Sequence, residues 1–179
     1  MDDPHLASVL ADLDRLEPLA RELTRGLDTA TMNATPPGGG WSIAQIFEHL
    51  CIADASYVDG CLPKALTKAA GKARKPWKPS LFGGWLRGAL ANLQKKLPAP
   101  KIYRVDGAVR ADVVEAWLRG VHKLRSQIES AAALDLNTRL SSPVSKLIRI
   151  SLGDALAIPV VHGHRHLAQV ERTRKALGR

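Results

Sequence analysis

His162 and His166 stand four residues apart in the stretch His162-Gly163-His164-Arg165-His166. On a helix that spacing stacks two imidazoles on one face, one turn apart and within reach of a common ion. His164, rotated by about 200° from His162, should face away. His49, three residues after Ile46 and four before Ala53, falls on the apolar face of a separate helical pattern. Inward-facing imidazoles must satisfy their ring nitrogens, since each buried unpaired polar group costs about 1 to 3 kcal/mol. A divalent cation shared by three histidines from two helices would do so and would leave positions open for water or substrate. The spacing alone is weak, because six histidines in 179 residues give about 0.2 such pairs by chance. Residue types therefore leave two readings level: a shared metal, or histidines hydrogen-bonded to backbone and neighbours.

Long helices are needed to carry these groups, and the chain holds four runs of apolar residues at three-four spacing. Asp3-Pro4 has the form of an N-cap with proline in the first turn, and Leu6, Val9, Leu13, Leu16, Ala20 and Leu23 extend a first helix to about Leu27, bent at Pro18. Residues 28–40, ending Pro36-Pro37-Gly38-Gly39-Gly40, read as a loop. Ser42 with Gln45 has the form of a capping box, and Ile43, Ile46, Phe47, Leu50, Ala53 and Tyr57 carry a second helix to about Cys61, with Pro63 as its break or kink. A third begins at Asp106 or Gly107 and runs through Val113, Trp117, Val121, Leu124 and Ile128 to about Ala133. Residues 134–150 form a connection with one extended piece around Leu147 to Ile150. The fourth helix opens at Ser151, with Asp154 in its first turn favouring the dipole and Pro159 bending it.

The pattern predicts an all-α, antiparallel four-helix bundle in a single domain over residues 1–179. Residues 67–104 become a long basic crossover between helices two and three, irregular over Gly71–Pro79, with a short amphipathic helix within Leu81–Leu97.

Hydrophobic residues make up 45% and charged residues 24%, which argues against disorder and against a disulfide-dense scaffold. The net charge of +9 is concentrated: Gly60 to Val105 contains eleven Lys and Arg and no Asp or Glu, leaving −2 elsewhere. With Trp77, Phe82 and Trp85 interleaved, that segment could be a solvated face, a surface for nucleic acid or an anionic membrane, or a lid that selects an anionic substrate. Cys51 and Cys61, ten apart on one helix, would lie ~15 Å from each other, too far to bridge. Free thiols, an acidic start without an apolar leader and no apolar run of ~18 to 20 residues predict a cytoplasmic protein without a transmembrane segment. No GxSxG elbow or GxxxxGK[ST] loop is present, which disfavours serine hydrolases of that type and P-loop NTPases.

Trp41-Ser42-Ile43-Ala44-Gln45-Ile46-Phe47-Glu48-His49-Leu50, after a Pro/Gly loop, resembles the first motif of the DinB-like (DinB/YfiT) superfamily of metal-dependent enzymes. His162-Gly163-His164-Arg165-His166-Leu167-Ala168-Gln169 resembles the second, an HxxxH with Gln three residues beyond. The resemblance spans all four helices and implies an up-down-down-up bundle. It also implies one divalent metal ion (Zn, Ni, Fe or Mn) bound by His49, His162 and His166. Characterised relatives include metal-dependent transferases and isomerases that use low-molecular-weight thiols such as bacillithiol or mycothiol. The resemblance thus implies a small-molecule substrate, a thiol cosubstrate and a thiol-dependent S-transferase or related transferase or isomerase. A metal-dependent hydrolase is the alternative, and a homodimer, common among relatives, is a further expectation. A basic module binding nucleic acid or an anionic surface is the non-enzymatic alternative. The acid-free 60–105 segment is not a feature of the family.

Gln169, one turn beyond His166, and Gln45, one turn before His49, are candidates to orient an imidazole, with solvent-facing or capping roles as the alternative. Tyr57 could line the pocket as a proton donor or simply sit in the core. Glu48 and Cys51 should point away from His49. No catalytic base is assigned.

Overall fold

The computed structural model describes residues 3–95, 97–107 and 109–179. Met1, Asp2, Lys96 and Ala108 lie outside the described residues, so the start of the chain and one of the eleven basic positions do too.

The first apolar run folds as two helices, α1 (Pro4–Leu13) and α2 (Leu16–Thr24), where the sequence predicts one bent helix to Leu27. Asp3 caps α1 by accepting from the amides of His5 and Leu6 at 3.0 and 3.2 Å. The break at Asp14-Arg15 leaves Pro18 in the first turn of α2, where a missing N–H forfeits no helical bond. A short helix, α3 (Thr29–Asn33), occupies part of the predicted loop because Asp28 caps it through the Thr31 amide at 2.7 Å.

Ser42 and Gln45 form the reciprocal capping box that starts α4 (Ile43–Ala55). A wide π-helical turn, Ser56–Cys61, leads into α5 (Leu62–Ala70), so the helical run reaches Ala70 rather than Cys61. The wide turn absorbs the proline: the Leu62 amide reaches back to the Tyr57 carbonyl, and Pro63 sits in the first turn of α5. Residues 73–79 are irregular, and α6 (Leu81–Ala91) realises the predicted short helix, capped by Ser80 through the Gly83 amide.

The next long helix, α7 (Val113–Ser130), starts later than predicted. Gly107 adopts a left-handed φ of 83°, which no right-handed helix can use as its start. The expected single extended piece is a hairpin, β1 (Arg139–Ser142) and β2 (Ser145–Ser151), antiparallel with Arg139 opposite Ser151. Pro143 falls between the strands, where it need not donate to the ladder. Ser151 then caps α8 (Leu152–Ala176), which continues through Pro159.

The chain is mostly helical with this one small sheet. Leu152 to Val160 of α8 are buried on every side, because α1, α2, α4, α5 and α6 all pack on this helix. One apolar cluster runs from Leu6 to Val170 and includes Phe47 against Trp117, ring centroids 5.5 Å apart. No helix among the described residues is long and apolar enough to cross a membrane.

The basic crossover is fastened to α8 at both ends of α6. At its N-terminus the buried Asp154 carboxylate accepts from the Ser80 amide and hydroxyl (both 2.7 Å) and the Ser151 hydroxyl (2.6 Å), while Arg87 pairs with its other oxygen at 3.0 Å. At the C-terminus Arg165 donates to the carbonyls of Leu90 (3.2 Å), Asn92 (2.8 Å) and Lys95. An anion thus faces the positive end of the α6 dipole and a cation its negative end. A side chain at Gly83 would collide with Asp154, so the approach of the two helices requires glycine there. Ahead of α6, Trp77 donates to the Ser151 hydroxyl at 3.1 Å and stacks on His5 at 3.6 Å.

Candidate metal centre

His49 on α4 and His162 and His166 on α8 meet where these two helices pack together, each offering a ring nitrogen within 4.8 Å of the others. The ring centroids are 4.5 to 5.1 Å apart, in edge-on arrangements. The facing Nε2 atoms of His49 and His162 lie 3.2 Å apart.

The other ring nitrogen of each histidine is engaged. His49 Nδ1 donates to the Tyr103 carbonyl at 2.7 Å, a contact fixed by the short 3₁₀ turn Lys101–Tyr103. His162 Nδ1 donates to Asp54 Oδ1 at 3.1 Å, and the other Asp54 oxygen accepts from Trp117 Nε1 at 3.0 Å. His166 Nδ1 donates to Gln169 Oε1 at 2.8 Å. With Nδ1 protonated in all three, each Nε2 carries a lone pair, the form in which imidazole ligates a metal.

Burial keeps two of the rings, His49 and His166, neutral. Burial, reinforced by the neighbouring His162, pushes His49 down to about 4. Burial, with His162 and His49 adding to it, pushes His166 down to about 2. Burial leaves His49 Nε2 unprotonated at neutral pH, facing His162 Nε2 across 3.2 Å. A divalent cation suits this arrangement: three borderline imidazole ligands, oriented from behind and facing an open side.

That side is a cavity of about 440 Å³. Its walls are largely apolar, with Trp41, Leu86, Leu90, Leu97, Val144 and Ile158, and Arg104 and Asp106 also line it. The crossover supplies Leu86 to Arg104 of this wall, so it covers the histidines.

The sequence-predicted residues divide clearly. Gln169 supports His166, whereas Gln45 serves its capping box and the Gly107 carbonyl. Glu48 points away to Arg110, and His164 faces α1, reaching the Asp12 carbonyl at 2.8 Å. Tyr57 lines the cavity, but burial raises its phenol above the ordinary range. Cys51 and Cys61 are free thiols, each pushed up to about 11 by burial. Two groups escaped the sequence reading. Asp54 lies five residues after His49, ~140° round an ideal helix, and its only sequence signal is an acid between two alanines. The Tyr103 carbonyl, a backbone group in a loop, gives no signal at all.

One buried and two half-buried imidazoles from two packed helices, held from behind and opening into a covered pocket, define a helical protein with a histidine site fit for a divalent ion. The family model of the DinB superfamily matches residues 12–170, and the chain belongs to that superfamily. No curated protein and no solved structure matches it.

Proposed function

We propose that this chain is a metal-dependent enzyme of the DinB superfamily, with one divalent ion (Zn, Ni, Fe or Mn) held by Nε2 of His49, His162 and His166. The observation that carries the reading is the engagement of all three Nδ1 atoms, which leaves the three Nε2 atoms to converge. In this reading α1 with α2, α4, α7 and α8 make an up-down-down-up four-helix bundle, a single domain into which the basic crossover is inserted.

A bound ion would supply a Lewis acid that lowers the pKa of a coordinated water or thiol. The protein's share is orientation and exclusion of water: Asp54, Gln169 and the Tyr103 carbonyl fix the rings, and Leu86, Leu90 and Leu97 cover the pocket. Neither cysteine is a usable nucleophile, since both are held protonated at neutral pH. A thiol reaction here therefore draws its thiol from a small molecule, and a thiol-dependent S-transferase, or a related transferase or isomerase, is our first reading. A metal-dependent hydrolase is the second, favoured by Asp106 on the cavity wall, a carboxylate able to accept a proton from water.

The test is an assay of reconstituted protein with a panel of electrophiles and esters, with and without a low-molecular-weight thiol. Turnover that requires both metal and thiol supports the transferase; turnover with metal alone supports the hydrolase. Absence of both from metal-loaded protein across the panel would count against the enzyme.

A further inference from the structure

Helix α6 is apolar on two faces. Leu86 and Leu90 point into the cavity, and Gly83 and Ala89 are buried. On the outer side Leu81 and Trp85, four residues apart and therefore on one face, are 96% and 54% exposed. The strand packed against α6, β2, carries Leu147 at 94% exposure, and Leu93 just beyond the helix is also exposed. A helix apolar on both sides is ordinarily covered on both sides, and among the described residues nothing covers the outer face of α6.

The chain on either side of α6 carries charge of one sign. Lys72, Lys75 and Lys78 precede α6, Lys95, Lys101 and Arg104 follow it, and all are exposed. Of the basic residues in this segment only Arg74 and Arg87 meet a carboxylate among the described residues. That charge argues against a second copy of this chain docking face to face, because two acid-free segments would meet. Nucleic acid fits less well than the interleaved aromatics suggested. Trp77 is taken up by His5 and Arg87, Phe82 is half-buried, and the one open ring, Trp85, already has the Lys95 ammonium 5.4 Å from its centroid. Phosphate-tracking grooves use stacking rings and have no use for bare leucines.

We propose that the outer face of α6, with the basic segments flanking it, docks on an anionic lipid surface, Leu81 and Trp85 entering the interface while the lysines meet the headgroups. Exposed aliphatic side chains, an interfacial tryptophan and surrounding lysines are the features such a surface selects. The proposal is independent of what the histidine site binds.

The experiment is co-sedimentation of the full chain with phosphatidylcholine vesicles, with and without about 30% phosphatidylserine. We expect at least about tenfold more binding to the anionic vesicles, a marked loss on going from ~0.1 to ~0.5 M salt, and a further tenfold loss in the double variant Leu81→Ser with Trp85→Ser. Both side chains are exposed, and an unchanged circular dichroism melt checks that the variant folds. Failure to sediment with anionic vesicles would overturn the proposal, as would binding that the double variant leaves unchanged. Tighter binding to a single-stranded oligonucleotide than to the vesicles, equally indifferent to the variant, would overturn it in favour of nucleic acid.

Discussion

The floor of the pocket and its cover are built by different means. The floor is made of side chains on two long helices, and its polar groups serve to fix ring orientation: His162 by Asp54, His166 by Gln169, His49 by a carbonyl. The cover is a basic segment that reaches α8 through two clasps of opposite charge, Asp154 and Arg165, placed at the two ends of α6. Floor polarity therefore sets ring orientation, and cover polarity supplies attachment. The two can be broken separately.

The largest effect is expected at the cover. Asp154→Ala leaves Arg87 and the Ser80 and Ser151 hydroxyls without their buried acceptor and should cost about 3 to 5 kcal/mol in a urea melt. Metal content in the folded fraction should stay that of the wild type, because no floor contact is touched. Loss of metal together with stability would join the two regions into one unit.

Asp54→Ala is the converse. It releases the His162 ring and Trp117 Nε1 and should lower metal affinity by about 10- to 100-fold, read by competition with a chromophoric chelator. An affinity equal to the wild type would remove Asp54 from the account.

Acid separates the regions more gently. His49 is held neutral down to about 4, below its ordinary 6.5, so between those values the unfolded chain takes up a proton that the folded chain refuses. Its contribution to the stability of the metal-free protein is thus complete above about pH 6.5 and is lost as pH falls toward 4, at about 1.4 kcal/mol per pH unit. His166 acts in the same direction over a window that extends to about 2. Asp154, by contrast, is held below its ordinary range, because the desolvation that would raise it is outweighed by its hydroxyl and amide donors, so the clasp persists to lower pH than an unperturbed carboxylate would allow. Melts of metal-free wild type and His49→Gln between pH 7 and 5 should therefore diverge, with the wild type falling more steeply; parallel curves would mean that His49 is not held neutral.

The same contrast decides what could be read in the sequence. Helical periodicity placed His49, His162 and His166 on inward faces, and α4 and α8 begin at the predicted Ser42 and Ser151 caps. It also found Gln169, because one turn of one helix separates it from His166. What was illegible depends on partners distant along the chain. Asp154 reads locally as a first-turn charge, yet its buried role comes from Ser80 and Arg87, some seventy residues earlier. Tyr103 contributes a carbonyl, which no side-chain pattern encodes. The split of the first helix and the continuation to Ala70 were missed because a proline was read as a bend or break, when in both places it lies within a first turn. Only one half of the hairpin was foreseen, since pairing with β1 gives a strand role to residues whose composition reads as a turn.

In the proposed function the three converging histidines bind one divalent ion. The direct measurement is elemental mass spectrometry on untagged protein reconstituted with zinc, nickel, iron and manganese in turn, comparing the wild type with His49→Ala, His162→Ala, His166→Ala and, as control, His164→Ala. About one ion per chain is expected in the wild type and in the control, whose imidazole is committed to the Asp12 carbonyl, and a loss of at least about tenfold in the other three. A folded wild type that holds none of the four metals, or variants that keep the ion, would contradict it.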